Sequence, residues 1–496
     1  MELFNLIEKK DRLQISIIRY LLDVDMHANI TDLMNHLEVT PFRFYDSLNE
    51  LSLVLSHLEL DLEITVRPEA NSISLKKSNH TNLNMLYYYY LKQSTDYKLF
   101  TYLYQHPNYS IYELSQALSL SEASIYRCIA RLNTYLEEFD IKIRGGKIYG
   151  DELQVSYFFF KLFWNSIPLN KIDALENDES SLLFIELLEK RLSQNFTATT
   201  KAKLCLWIKI LKTRTKKENP IESKWVLNKI CHEQINDPIY QVVRDVYFLS
   251  ANHSSPCFEY KVAYLYLFVS ALFILQPENN LLLDSTYWGT FNPQVIQLNE
   301  NVVQAVKAKY HIDVHEVDPE FVRNWKYLLT QLHSTILFFK GNITFFDDKI
   351  LFDRLREENN LSKNSSLTDS ILQGTEDILG FSLPKAARTW LVSIHSYFIS
   401  QMRLFSQARI SIGILCNRNN FQTNIMLESI DKDFSNKFSI HSERAETGRK
   451  YDILISDSEF STNLYSFKDL YIINDFKTQA DQRALTLLLK KYTQKG

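Results

Sequence analysis

The stretch Ile125–Trp164 reads IYRCIARLNTYLEEFDIKIRGGKIYGDELQVSYFFFKLFW, and its pattern decides the fold of the N-terminal part of the chain. It opens with apolar residues that are four, three and four positions apart: Ile125, Ile129, Leu132 and Leu136. This spacing predicts an α-helix with one buried stripe. The segment Ile141–Gly150 then alternates around Gly145-Gly146, a pair that tight hairpin turns favour. The stretch therefore predicts a helix that leads directly into a β-hairpin.

Two shorter helices are predicted upstream of this stretch. Tyr97–His106 and Ser110–Leu118 carry apolar residues at helical spacing, and Ser119–Ser121 forms the turn before the long helix. Helix, helix, turn, helix and hairpin is the order of a winged helix-turn-helix, whose third helix fits the DNA major groove.

The same order occurs once before, at the start of the chain. Helices are predicted over Leu13–Leu22, Ile30–Leu37 and Pro41–Leu55, with Thr40 suited to cap the third helix. The segments LEITVR and ISLK flank the loop PEANS and predict a second hairpin. Two such units in tandem favour DNA binding more strongly than one would.

Composition narrows the class of protein. The chain has 496 residues, of which 45% are hydrophobic and 23% charged, as in globular proteins of about three to five domains. With only 10 Gly and 11 Pro, long helices are favoured over turn-rich β folds.

The five Cys form no CxxC pair, so no zinc site, disulfide framework or cofactor is expected. The longest apolar run, Tyr264–Gln276, is too short for a membrane span, and we expect a cytoplasmic protein without a leader.

Charge gives no general attraction to nucleic acid. The net charge is −4, and residues 1–150 hold 15 basic against 19 acidic side chains. DNA binding must therefore rest on local patches. We expect weak affinity per unit, reliance on both units and a second protomer, and a salt dependence shallower than that of a strongly basic protein.

The candidate DNA contacts are the side chains that remain outside when the apolar stripes turn inward. In the second unit they are Ser121, Ser124, Tyr126, Arg127, Arg131, Lys142, Arg144 and Lys147, of which Ser124 and Arg127 are placed to reach bases. In the first unit they are Thr40, Arg43, Tyr45 and Arg67. Few of them suit bidentate base contacts, so readout is expected to depend on DNA bendability. A solvated helix face is the alternative for each residue.

In the remainder of the chain, the predicted secondary structure changes near residue 407, from helices alone to strands that alternate with helices. Leu169–Met402 is helical in period, and Gln276–Pro293, with two Pro and one Gly, divides it into two similar halves. After Gln407, strands alternate with helices, which predicts a small parallel α/β sheet. Cys416 follows the first of these strands.

The residues from Ile125 to Trp164 resemble the Mga family of transcriptional regulators, which includes virulence regulators of Gram-positive bacteria. In that family, recognition helix and wing lead into a Gly-Asp/Glu-Glu segment and an aromatic-rich helix that ends in Trp. Here these are Gly150–Glu152, Tyr157–Phe160 and Trp164.

The resemblance implies a mainly α, multidomain protein. It would comprise winged helix-turn-helix domains at residues 1–78 and 79–165, all-helical PTS-regulation domains at 166–285 and 286–403, and an α/β domain similar to enzyme IIB at 404–496. The implied function is a dimeric, DNA-binding transcriptional regulator whose partners are promoter DNA, a second copy and the phosphocarrier protein of the sugar phosphotransferase system. No enzyme activity is expected, since the sequence contains no catalytic triad or nucleotide-binding loop.

The resemblance further implies that phosphorylation of a histidine tunes dimerisation and activity, since a phosphoryl group adds nearly two negative charges. The candidates are His395, His333, His232 and His253, and a packed or capping histidine is the alternative for each. In enzyme IIB a cysteine at the place of Cys416 carries the phosphoryl group. The loop Asn417–Phe421 lacks Gly, so we expect a structural or interface role for Cys416 instead.

Two other functions stay open at this point. A phosphotransferase component would pass phosphate through His395 or Cys416. An RNA antiterminator would also use paired PTS-regulation domains, but such proteins begin with a short β-rich module, unlike the helical start of this chain.

Overall fold

The computed structural model describes residues 1–106, 109–173, 179–214, 230, 234–251, 257–275, 292–310, 319–346, 365–406, 409–415, 420–435, 437–459, 462–473 and 478–493. These residues are mainly helical, with a small sheet near the C-terminus, as the sequence predicts. The chain divides into two compact units, one of Met1–Ile296 with Lys326–Ile350 and one of Gln297–Trp325 with Leu351–Gly496. Within the described ranges, every helix is too short or too polar to cross a bilayer.

We call residues 9–77 module 1. Its helices are α1 (Lys9–Asp23), α2 (Ile30–His36) and α3 (Pro41–His57), and its strands are β1 (His27–Asn29), β2 (Leu62–Arg67) and β3 (Ser72–Lys77). The strands form an antiparallel sheet in the order β1-β3-β2. The predicted order of three helices and a hairpin is present, and β1 is an addition that the sequence analysis did not predict.

Module 2 covers residues 84–149. It contains α4 (Asn84–Gln93), α5 (Thr95–Gln105), α6 (Ile111–Leu118), α7 (Glu122–Leu136), β4 (Lys142–Arg144) and β5 (Lys147–Tyr149). A capping box starts α6, because Ser110 accepts from the Glu113 amide while the Glu113 carboxylate accepts from the Ser110 amide. These hydrogen bonds lower the pKa of Glu113. The strands β4 and β5 form a two-stranded antiparallel hairpin.

A helical region follows module 2 in the first unit. Its helices are α8 (Glu152–Ser166), α9 (Leu169–Asp173), α10 (Glu179–Leu192), α11 (Ala198–Arg214), α12 (Pro238–Ser250) and α13 (Phe258–Ala271). Aromatic rings fill its interior: Trp207 stacks on Phe268 at 4.6 Å, and Phe160 meets the Phe268 ring edge to face at 4.9 Å. Packing of large rings in such offset and perpendicular geometries stabilises the core beyond area burial.

Two long helices, α14 (Pro293–Tyr310) and α15 (Pro319–Phe338), come next in the chain. After α15, residues 339–346 form a non-helical segment that we call the strap. The backbone amides of Leu3 and Phe4 donate to the carbonyls of Thr344 and Phe345 in the strap. Tyr157 stacks on Phe339 at 4.5 Å, and Lys340 pairs with Asp140 beside module 2. The strap therefore contacts both the start of the chain and the end of module 2.

The second unit contains α16 (Ser365–Leu379), α17 (Lys385–Ser406), α18 (Asn420–Phe434) and α19 (Gln479–Thr493). Its strands are β6 (Ile410–Leu415), β7 (Ile440–Arg444), β8 (Lys450–Ser456) and β9 (Ser466–Ile472), which form a parallel sheet in the order β7-β6-β8-β9. The alternation of strands and helices predicted after residue 407 is thus confirmed. The predicted break at Gln276–Pro293 lies almost wholly outside the described residues.

Candidate nucleic-acid interface

The third helix of module 2, α7, presents one buried and one open face. Ser121 caps it by accepting a hydrogen bond from the Ser124 amide at 3.2 Å. Its predicted apolar stripe is buried: Ile125, Leu132 and Leu136 are fully enclosed, and Ile129 nearly so. Cys128 is buried beside the stripe, which the sequence analysis did not predict.

The open face of α7 carries most of the DNA contacts that the sequence predicts for this helix. Ser121, Tyr126 and Arg127 are exposed, and Ser124 is half-buried. The Ser121 and Ser124 hydroxyls lie 2.9 Å apart, and Arg127 Nη2 donates to Ser124 Oγ at 3.2 Å. These hydrogen bonds hold polar groups together at the N-terminal end of α7, where recognition helices contact base edges.

Arg131 differs from Arg127 although both lie on α7. Its Nε donates to Asp96 Oδ2 at 3.0 Å, and its Nη2 also bonds to this carboxylate, which is almost fully buried. That hydrogen bond raises the pKa of the Arg131 guanidinium. The Arg131 side chain remains 53% exposed. Arg131 thus ties α7 to the first turn of α5, a structural role that its sequence position did not reveal.

The carboxylate of Asp96 also holds the thiol of Cys128. Cys128 Sγ donates to Asp96 Oδ1 at 2.8 Å. Burial raises the pKa of this thiol to about 12, and the nearby Asp96 carboxylate adds to that rise. The thiol is therefore protonated at neutral pH and serves as a hydrogen-bond donor in the interior.

The hairpin of module 2 places three cations beside α7. Lys142, Arg144 and Lys147 are all exposed. The Asn133 side chain of α7 fixes the hairpin, because Asn133 Oδ1 accepts from the Ile143 amide at 2.7 Å and its Nδ2 donates to the Ile143 carbonyl at 2.9 Å. The wing is thus bonded directly to the helix that it accompanies.

The predicted contacts of module 1 are also on its surface. Thr40 caps α3, and Thr40, Arg43 and Arg67 are exposed, while Tyr45 is half-buried against Phe44. The wing is joined to the start of α2 through Asn71, whose Nδ2 donates to Thr31 Oγ1 at 3.0 Å and to Oδ1 of the N-cap residue Asn29 at 2.9 Å. Phe42, which was not among the predicted contacts, is 84% exposed in the first turn of α3. Phe42 lies two residues before the buried Phe44 on the same helix, so its side chain points away from the core. This spacing was the signal in the sequence that indicated its exposure.

The four histidine candidates fall into two groups. His333 and His395 are fully buried, on α15 and α17 respectively. Burial lowers the pKa of His395 to about 4, so its imidazole is neutral at physiological pH. His232, His253 and Cys416 lie outside the described residues.

Among the residues that the structure describes, no three His, Cys, Asp or Glu side chains lie close enough together to hold a metal ion. The exposed face of α7 and its wing carry hydroxyl, aromatic and cationic side chains, and groups of these kinds bind phosphates and base edges in DNA-binding proteins.

Comparison with known proteins agrees with this geometry. A search of the curated proteins finds no match for the chain. Residues 79–163, from the segment before α4 to the last turn of α8, match the family model of the Mga helix-turn-helix domain. This match confirms the resemblance drawn from Ile125–Trp164 and is consistent with a regulator of the Mga family.

Proposed function

We propose that this chain is a DNA-binding transcriptional regulator that acts as a dimer on promoter DNA. The observation that carries the proposal is the set of exposed cations around α7, within the segment that matches the Mga helix-turn-helix domain: Arg127, Lys142, Arg144 and Lys147. Cations on a recognition helix and its wing neutralise phosphates and position the helix in the major groove.

Dimerisation is proposed because one module supplies few cations. A twofold axis doubles the number of phosphate contacts and requires two half-sites in the DNA. The domain boundaries expected from the resemblance, with PTS-regulation domains at 166–285 and 286–403 and an enzyme-IIB-like domain at 404–496, belong to the same proposal. The parallel sheet β7-β6-β8-β9 supports the last of these.

Regulation by histidine phosphorylation, which belongs to the same proposal, requires that a buried histidine become exposed. His333 and His395 are both fully buried, and a dianionic phosphoryl group is expensive to bury. Either ring must become exposed before the phosphocarrier protein can reach it. The same burial makes a phosphotransferase component that works through His395 the weaker alternative.

The test uses the full-length protein and a set of AT-rich promoter duplexes at low salt. We expect a stable complex with wild-type protein and a loss of about tenfold in affinity for Arg127→Ala, since a charged contact with DNA is removed. The matched control is Lys190→Ala, which removes an exposed charge on α10 and should leave affinity unchanged. Absence of binding to every duplex by the wild-type protein would refute the proposed function.

A further inference from the structure

The outward face of α3 in module 1 carries a row of side chains that the proposed cation contacts do not include. Phe42, Asp46, Asn49 and Leu53 are four, three and four residues apart, and all are exposed. They lie opposite the buried stripe of Phe44, Leu48, Leu51 and Leu55. Phe42 and Leu53 are 84% and 73% exposed, so the row is open along its length.

We infer that module 1 reads base edges in the DNA major groove through Phe42, Asp46 and Asn49, whereas module 2 supplies the phosphate contacts. This inference rests on the proposed function, because it assumes that α3 enters DNA as a recognition helix. It further names the residues that recognise the DNA sequence and the bases that they select.

Each side chain in the row has a matching group on a base. An exposed apolar ring such as Phe42 suits the methyl group of thymine, and the Asn49 amide suits the N6 and N7 atoms of adenine. The carboxylate of Asp46 accepts from the N4 amino group of cytosine. Asp46 forms no ion pair with any residue in the described part of the chain, and its charge would repel phosphates. Its place on this face therefore favours contact with bases over contact with the backbone.

The spacing of the row fits adjacent base pairs. Phe42 and Asn49 are seven residues apart on one helix, or about 10 Å along its axis at 1.5 Å per residue. Base pairs are stacked about 3.4 Å apart, so the row spans about three of them. We expect thymine, cytosine and adenine preferences within a window of three to four base pairs.

The equivalent face of module 2 has a different composition. When Phe44 is matched with Ile125, the first helical residue of each stripe, the row becomes Ala123, Arg127, Ala130 and Thr134. Small alanine side chains let the backbone of α7 approach the groove closely, and Arg127 and the wing cations bind phosphates or guanine. The two rows therefore present complementary chemistry, one neutral to acidic and one neutral to basic.

The experiment selects duplexes from a random-sequence DNA library with full-length wild-type protein and with Phe42→Ala, Asp46→Asn and Asn49→Ala. We expect each variant to lose one base preference that the wild type shows, with about tenfold weaker discrimination at that position. Binding to a scrambled duplex should stay the same for Phe42→Ala and Asn49→Ala, because no phosphate contact is removed, and it should not weaken for Asp46→Asn, because that substitution removes a charge that repels phosphates. A second probe replaces the selected thymine by deoxyuridine, which should weaken the wild type severalfold and leave Phe42→Ala unaffected.

Leu53→Ala is the control, since Leu53 lies on the same face but one turn beyond the proposed window. Thermal unfolding of all variants checks that the exposed substitutions leave the fold intact. If the wild type enriches a motif and all three variants recover the same motif, the inference is overturned while the proposed function stands. If the wild type enriches no DNA, the proposed function fails and takes this inference with it.

Discussion

At the scale of single residues, the two arginines of α7 show why a helical pattern does not assign roles. Arg127 and Arg131 are four residues apart on the same helix, and spacing alone gives them the same outward orientation. The structure separates them, because the buried carboxylate of Asp96 binds Arg131 while Arg127 bonds only to the exposed end of the helix. Asp96 lies 35 positions away in the sequence, so no local pattern reveals the pair.

This difference predicts that the two arginines contribute unequally to the free energy of unfolding. Arg131→Ala should lower the free energy of unfolding by about 1–2 kcal/mol, because Asp96 keeps its charge in the interior without its cation, and the exposed half of Arg131 limits the loss. Arg127→Ala should leave unfolding unchanged and weaken DNA binding instead. Urea unfolding of both variants checks this, and equal stability of the two would contradict the structural role of Arg131.

At the scale of elements, the sequence predicts well whatever depends on local period. The stripe of α7, the two hairpins and the strands after residue 407 all follow from spacing and turn residues. Elements fixed by distant contacts were not predictable. The strand β1 forms because Ala28 pairs with Ile73, and the strap is fixed by Leu3, Tyr157 and Asp140. Among candidate site residues, exposure was predictable for Arg127 and the wing cations, whereas the burial of His333 and His395 was not.

The turn of the module 2 hairpin gives a prediction with a built-in control. Gly145 and Gly146 both have positive φ, at +53° and +84°. A Cβ on Gly146 would lie 2.2 Å from the Tyr109 carbonyl oxygen, whereas one on Gly145 meets open space. We expect Gly145→Ala to cost roughly 1 kcal/mol for its left-handed backbone and Gly146→Ala to cost at least about twice that.

Thermal unfolding and DNA binding of the two glycine variants measure the difference. Gly146→Ala should also displace the wing cations and reduce affinity for DNA more than Gly145→Ala does. The two variants behaving alike in both assays would show that the close approach of the hairpin to Tyr109 does not support the wing.

At the scale of the whole molecule, attraction to DNA phosphates must come from local clusters of cations, because the net charge of the chain is negative. The chain carries −4 overall and residues 1–150 are net acidic, yet exposed cations gather around α7 and its wing. The strap connects the end of α15, the helix that carries His333, with the start of the chain and with module 2. The helix that carries His333 is therefore joined by these contacts to the segment that matches the Mga helix-turn-helix domain.

The most direct test of DNA binding by module 2 is the salt dependence of affinity. The slope of log affinity against log salt concentration reports the number of phosphates that the protein neutralises. For a duplex selected by the wild type, we expect a moderate slope. The triple variant Lys142→Ala, Arg144→Ala and Lys147→Ala should reduce its magnitude by about 1 for each lost contact, or about 3 per bound protomer. An unchanged slope in this variant would mean that the wing does not touch DNA and would contradict the account.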